Sequence, residues 1–112
     1  MSSRDWRESV QDILDAIAEI KAFTEDMDLK AFRQDQKTVR AVEMNFIIIG
    51  EAAASIPDEI VEDNPGVPWH LMRGMRNRIV HAYFSVDEQI MWDTLKADIP
   101  GLVAELETML ES

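Results

Sequence analysis

The sequence predicts an all-α protein, a bundle of four or five main helices. Apolar residues recur at spacings of three and four along most of the 112-residue chain, which is the period of amphipathic helices. The four glycines and four prolines are too few for a turn-rich sandwich or barrel. A hydrophobic content of 46% excludes a disordered chain, and the length suits one domain over residues 1–112.

The composition also excludes several kinds of site. The chain has no cysteine, so a disulfide scaffold, a thiol nucleophile and a cysteine zinc site are excluded. Neither of the two histidines belongs to a His-Glu-x-x-His motif, which excludes a zinc peptidase. No apolar run is long enough to cross a bilayer, and no basic-then-apolar leader opens the chain. We therefore expect no membrane association and a cytoplasmic location.

The first half of the chain predicts two long helices joined by a short helical turn. The first helix spans about 3–25 with Ser3 as its N-cap, the short turn lies within 28–36, and the second helix begins within 35–38. The two apolar stripes are Trp6, Val10, Ile13, Ile17 and Ile20, and then Val42, Phe46, Ile49, Ala53 and Ile56. Residues 46–49 alone could form a strand, but no turn residues bracket them, so a helix is predicted.

The second half predicts four further helical segments. Pro57 starts a short helix that ends at the turn signal Asn64-Pro65-Gly66, and Pro68 opens a helix that runs to about Phe84. Residues 85–88 resemble a capping box, with the hydroxyl of Ser85 at the cap and Glu88 three residues later. The helix that follows is interrupted at Pro100-Gly101, and a last amphipathic stripe ends the chain.

The charge is distributed unevenly along the chain. Twenty-two acidic and 11 basic residues give a net charge of −11, which argues against a general affinity for nucleic acid. Residues 64–86 nevertheless contain three arginines, two histidines and no acidic residue. Their net charge is therefore +3, which leaves −14 for the other 89 residues. This pattern either arises by chance or indicates an anion-binding patch on a surface that repels anions elsewhere.

The helix predicted over 68–84 separates an apolar face from a polar one. At about 100° per residue, the core stripe consists of Leu71, Met75, Ile79, Ala82 and Val86. Arg73, Asn77 and His81 follow one another at intervals of four and form a polar ridge. Gly74 lies in the polar sector, where a mid-helix glycine is suited to a close approach of another backbone or a substrate.

Arginine, histidine and asparagine together suit RNA cleavage without a metal. Histidine exchanges a proton near neutral pH, and arginine stabilises negative charge on phosphoryl oxygens. The helix lacks the carboxylate cluster that a magnesium-dependent nuclease needs. Arg76 and His81 lie about 140° apart on a straight helix, so the pair requires either a distorted helix or a second subunit. Purely structural roles are the alternative: a histidine satisfied by a neighbour, an exposed ion-pair arginine and, at Tyr83, a half-buried aromatic ring.

Residues 76–83, Arg-Asn-Arg-Ile-Val-His-Ala-Tyr, resemble the Arg-polar-x3-His-x-Tyr signature of HEPN-domain ribonucleases. They resemble more narrowly the HepT toxin family of bacterial and archaeal toxin–antitoxin pairs. The flanks agree: residues 49–53 are similar to that family's second long helix, and Pro68-Trp69 to its approach to the motif. The helix around Trp92 and the break at Pro100 are similar to the family's C-terminal part.

The resemblance implies an all-α HEPN bundle that forms a homodimer, with motif helices from two subunits lining one cleft. It implies a metal-independent endoribonuclease without a cofactor, acting on mRNA or tRNA in a type VII-like toxin–antitoxin system. Arg76 and His81 would be the catalytic pair supported by Asn77, and Arg73 and Arg78 would supplement them in binding RNA. The partner would be an MntA-like nucleotidyltransferase antitoxin that adds AMP from ATP to Tyr83, which would block RNA by bulk and charge.

Two other functions remain open at this stage. The chain could be a non-catalytic subunit that presents a nucleotide or protein substrate to a minimal nucleotidyltransferase. It could also be a plain helical dimerisation module. Cleavage of RNA in the presence of a chelator separates the nuclease from both. A nucleotidyltransferase encoded in the neighbouring reading frame would favour the first two functions over the third.

Overall fold

The computed structural model describes residues 5–82 and 87–111, with side chains for 5–79 and 87–111. These residues form α1 (Trp6–Thr24), α2 (Leu29–Gln34), α3 (Gln36–Ala54), α4 (Asp58–Asp63), α5 (Trp69–Ala82), α6 (Glu88–Asp93) and α7 (Pro100–Glu111). A π-helical turn, Thr94–Asp98, continues α6 up to Pro100. No strand occurs in these ranges, so the prediction of an all-α fold is confirmed, as is a helix rather than a strand at 46–49. None of the helices described is long and apolar enough to cross a membrane.

Aspartate residues define most of the helix starts. The side chains of Asp5, Asp28, Asp35 and Asp87 each accept a hydrogen bond from a backbone N–H in the first turn of the helix that follows. The predicted caps at Ser3 and Ser85 are wrong because in both cases an aspartate two residues later takes that role. Ser3 and Ser85 themselves lie outside the described residues. The backbone hydrogen bond from Thr38 holds the pKa of the Asp35 carboxyl below its ordinary value.

The core is built around α3, which packs against α1 on one side and against α5 on the other. The predicted stripes of α1 and α3 are buried from Val10 to Ile20 and from Val42 to Ile56, which confirms both assignments. Phe32 of α2 is fully buried and its ring lies against that of Trp92, with centroids 5.3 Å apart. The helix α7 closes the other side of α1.

The contact between α3 and α5 is closest at one glycine. A Cβ atom added at Gly50 would lie 2.7 Å from the backbone nitrogen of Arg76 and 3.1 Å from its Cα, and would overlap its Cβ. No side chain fits there, so glycine allows α5 to lie directly on α3 at Arg76. A Cβ at Gly74 would meet no atom within 4 Å. Within the described chain, the close approach of another backbone therefore occurs at Gly50 and not at Gly74, whereas the approach of a substrate to Gly74 stays a prediction.

Candidate functional site

The helix α5 carries the candidate site and is fixed to the core along one side. Met72, Met75 and Ile79 are buried, and the indole Nε1 of Trp69 donates to the carbonyl oxygen of Asn64 at 3.1 Å. Burial of Met75 and Ile79 agrees with the predicted core stripe, and Leu71 is half-buried. Met72 is fully buried although it lies about 20° outside the predicted stripe, so the buried face of α5 is wider than the wheel predicts. The opposite side of α5 is left for the polar residues.

Arg76 lies at the crossing of α3 and α5 and has its guanidinium held in two places. Its Nε donates to Oε1 of Glu51 at 2.6 Å, and its Nη1 donates to Oδ1 of Asn77 at 3.2 Å. The Arg76 side chain is 40% exposed and that of Glu51 is 59% exposed. A guanidinium has five N–H donors. Three of them have no acceptor among the residues described, so they can bind an anion from solvent.

Arg73 and Arg78 lie in different surroundings. Arg73 is half-buried, and its Nε donates to the carbonyl oxygen of Ala53 in the last turn of α3 at 3.2 Å. This carbonyl end of a helix carries partial negative charge, so it favours a guanidinium. Arg78 is exposed and makes no ion pair within the described part of the chain. Arg73 thus serves the fold through one N–H group, whereas Arg78 is available to an external anion.

His81 and Tyr83 are described only in part or not at all. The backbone of His81 belongs to α5, but its side chain lies outside the description, as does the whole of Tyr83. The helix α5 is α-helical without interruption from Trp69 to Ala82. Positions 76 and 81 therefore leave its axis about 140° apart, with a rise of about 7.5 Å between them. Within the described backbone, no helix distortion brings these two positions together.

Two residues at this site were not identified as functional from the sequence. Glu51 and Gly50 lie on α3, 25 and 26 residues before Arg76, and helix periodicity within one helix gives no information about a contact between two helices. The sequence does contain one signal for this contact, which is Gly50 beside Glu51 within a long helix. A glycine in the middle of a long helix is unfavourable by about 1 kcal/mol, which indicates a packing requirement.

An exposed apolar surface on α3 lies beside the polar residues of the site. On the outward side of α3, Met44 and Ile48 are 57% and 38% exposed, and Glu51 follows on the next turn of the same side. We call Met44, Ile48 and the surface between them the α3 apolar surface. Among the residues with described side chains, no three Asp, Glu or His residues lie close enough to share a metal ion.

Comparison with known proteins assigns the chain to a family. The model of the "Ribonuclease HepT-like" family matches residues 13–109. A protein of Thermococcus cleftensis named "Probable ribonuclease HepT" is 39% identical over 106 residues, covering 95% of this chain and 96% of its own length. Two Methanocaldococcus jannaschii proteins named "Putative RNase" are 33% and 36% identical, each covering 99% of this chain and 92% and 96% of their own lengths. No solved structure gave a significant match. The chain belongs to the HepT-like ribonuclease family.

Proposed function

We propose that this protein is a metal-independent endoribonuclease of the HEPN type, working as a homodimer through Arg76 and His81. The observation that carries the proposal is the guanidinium of Arg76, which is half-exposed and fixed by Glu51 and Asn77 with three donors unused. It lies on a helix within the one long segment of the chain that has no acidic residue. Membership of a ribonuclease family supports RNA as the anion that these donors bind.

The proposed reaction needs one proton acceptor and one cation. Neutral His81 takes the proton of a ribose 2′-hydroxyl, and the 2′-oxygen forms a bond to the adjacent phosphorus. The bond from phosphorus to the 5′-oxygen breaks, and that oxygen takes up a proton from water. The products are a 2′,3′-cyclic phosphate and a 5′-hydroxyl. Arg76 stabilises the charge on the phosphoryl oxygens during the transfer, and Asn77 orients Arg76 through the 3.2 Å hydrogen bond.

RNA reaches this cleft along a local positive surface. Arg78 is exposed on α5, and Arg73 retains N–H groups beyond the one that it donates to Ala53. Both contact backbone phosphates in the proposed complex, which fixes the RNA without reading its sequence. The remaining acidic surface discourages binding elsewhere.

The proposal requires no cofactor, places the whole chain in one domain and assigns the protein to the cytoplasm.

The second copy docks on the α3 apolar surface in our proposal. Met44 and Ile48 are exposed apolar residues one turn apart on the same side of α3, and contiguous exposed apolar surface marks docking sites. This surface continues into Glu51, which contacts Arg76, so a copy bound there lies next to the site that it has to complete. A two-fold dimer then presents the same residues from both subunits to one cleft.

Met44→Glu is expected to raise the dissociation constant of the dimer by about 10-fold or more, because it buries an unpaired carboxylate at the dimer interface. Sedimentation velocity over a concentration series measures the change, and RNA cleavage should fall in proportion to the dimer. Ile90→Glu is the matched control, since Ile90 is 50% exposed on a different helix, α6. If both variants dimerise like the wild type, the α3 apolar surface is not the dimer interface.

We further propose that the protein is the toxin of a type VII-like toxin–antitoxin pair. An MntA-like nucleotidyltransferase transfers AMP from ATP to the hydroxyl of Tyr83, with release of pyrophosphate. The added phosphate puts a negative charge two residues from His81 and repels RNA. Tyr83→Phe is expected to cleave RNA but to gain no AMP when incubated with the transferase and ATP, as measured by intact mass. An AMP adduct on Tyr83→Phe would contradict this assignment.

The proposed activity is tested with purified protein and total RNA in EDTA, beside His81→Ala. We expect the wild type to fragment the RNA and the variant to leave it intact. Identical RNA profiles for the two proteins would overturn the nuclease proposal. In that case, a stable complex with the transferase would identify the chain as its non-catalytic partner.

A further inference from the structure

We infer that Glu51 is a positioning residue for the reaction, holding the guanidinium of Arg76 in the orientation that meets the phosphoryl group. The inference rests on the proposed function, because it assigns a role within that site. Glu51 is not part of the sequence motif. It lies on α3, 25 residues before Arg76. Glu51 touches neither RNA nor the reacting atoms in this account, and it acts only through Arg76.

The first observation is the geometry of the pair. Oε1 of Glu51 accepts from Nε of Arg76 at 2.6 Å, and because both groups are charged the hydrogen bond is charge-assisted. Nε carries a single N–H group, and this bond occupies it. Asn77 takes one N–H group of Nη1 at 3.2 Å. Two acceptors on two different helices therefore define the plane of the guanidinium, and its other three N–H groups have no acceptor among the described residues.

The second observation is the backbone contact one residue before Glu51. Gly50 lies so close to Arg76 that an added Cβ would be 2.7 Å from its backbone nitrogen. The start of the arginine side chain is therefore fixed against α3, while Glu51 fixes its far end. The dipeptide Gly50-Glu51 therefore fixes the positions of both ends of the Arg76 side chain, which has four rotatable bonds. A positioned cation is worth more to a transition state than a mobile one.

The role of Glu51 is separate from any contribution to the free energy of unfolding. Both partners are at least two-fifths exposed, and ion pairs on the surface contribute little to folding. Variants of Glu51 should therefore fold. A carboxylate this close to Arg76 also competes with the phosphate of bound RNA. Removal of the carboxylate should leave RNA binding unchanged or tighter while slowing the chemical step.

The test compares kcat and KM for a short RNA with a single cleavage site across three variants. Glu51→Ala is expected to lower kcat by about 10- to 100-fold, since a misplacement of about 1 Å costs up to that factor, and KM should not rise. Glu51→Gln keeps an acceptor oxygen at the same reach and should retain most of kcat. Glu51→Asp is one methylene shorter and should behave like alanine. Glu105→Ala, which removes an exposed carboxylate from α7, is the matched control and should match the wild type.

Three results would overturn the inference. An unchanged kcat in Glu51→Ala would show that Arg76 needs no support from Glu51. A loss seen only as a higher KM would make Glu51 a binding residue. A glutamine variant as slow as alanine would show that an acceptor oxygen at this reach does not suffice, which contradicts positioning through the hydrogen bond.

A second measurement separates this inference from the proposed function. The Nε–H signal of Arg76 in ¹H–¹⁵N NMR should exchange slowly with water and lie apart from the signal of Arg33, an exposed arginine of α2. In Glu51→Ala it should join the signals of the exposed arginines. If the wild-type protein fails to cleave RNA, the nuclease proposal falls, and this signal still shows whether Glu51 holds the guanidinium. If the Arg76 signal resembles that of Arg33 in the wild type, the positioning role is refuted whatever the activity.

Discussion

Arg76→Ala and His81→Ala should each abolish most RNA cleavage while the protein remains folded and dimeric. Loss of a charged donor to the phosphoryl oxygens is expected to slow the reaction by about 10²- to 10³-fold, and loss of the proton acceptor by about 10²- to 10⁴-fold. Alanine at position 76 keeps the Cβ that contacts Gly50, so the contact between α3 and α5 is preserved. Initial rates on a defined RNA in EDTA measure the effect.

The matched control for both variants is His70→Ala. His70 is exposed on α5 and lies within the same acid-free segment, but outside the motif. Its removal should leave kcat near the wild-type value. A comparable loss in His70→Ala would mean that any change to this positive surface impairs cleavage, and the assignment of Arg76 and His81 would lose its support. Wild-type rates in either motif variant would contradict the mechanism directly.

Gly50→Ala should have the largest effect on the fold. The added methyl group overlaps Arg76, and backbone atoms of a packed helix have little room to move. Forcing an extra carbon into such a contact lowers the free energy of unfolding by about 1–3 kcal/mol. The displaced α5 also moves Arg76 away from Glu51, so cleavage should fall in the molecules that remain folded.

The chain contains its own control for Gly50→Ala. Gly74 lies on α5 with no atom within 4 Å of an added Cβ. Gly74→Ala should raise the free energy of unfolding by up to about 1 kcal/mol, because alanine has the higher helix propensity. Urea unfolding of both variants gives the two values under the same conditions. If Gly50→Ala were as stable as Gly74→Ala, the close contact between α3 and α5 would be refuted.

The helices themselves could be predicted from the sequence because their signal is local. The stripe from Val42 to Ile56 repeats at intervals of three and four, and every member is buried in the structure. The starts of the helices were less accurate. At Ser3 and Ser85 a serine and an aspartate two residues later are both good N-caps, and intrinsic preference does not decide between them. In each case the structure uses the aspartate.

The tertiary part of the site could not be predicted from one sequence. A helical wheel identifies the face of α5 on which Arg76 lies, but not the residue of α3 that meets it. The contacts of Arg76 with Gly50 and Glu51 join positions 25 and 26 residues apart, so they depend on how two helices pack. For the same reason the sequence points to Gly74, rather than Gly50, as the site of a close backbone approach. The roles of His81 and Tyr83 stay predictions, since their side chains lie outside the description.

The central claim is that Arg76 of one subunit acts together with His81 of the other. Mixing the two inactive variants tests it most directly. A dimer of one Arg76→Ala copy and one His81→Ala copy contains an intact pair only if the pair is drawn from both subunits. Random reassortment should then restore roughly a quarter of the wild-type rate, from one intact site in half of the dimers. A reassorted mixture as inactive as its two components would contradict the account.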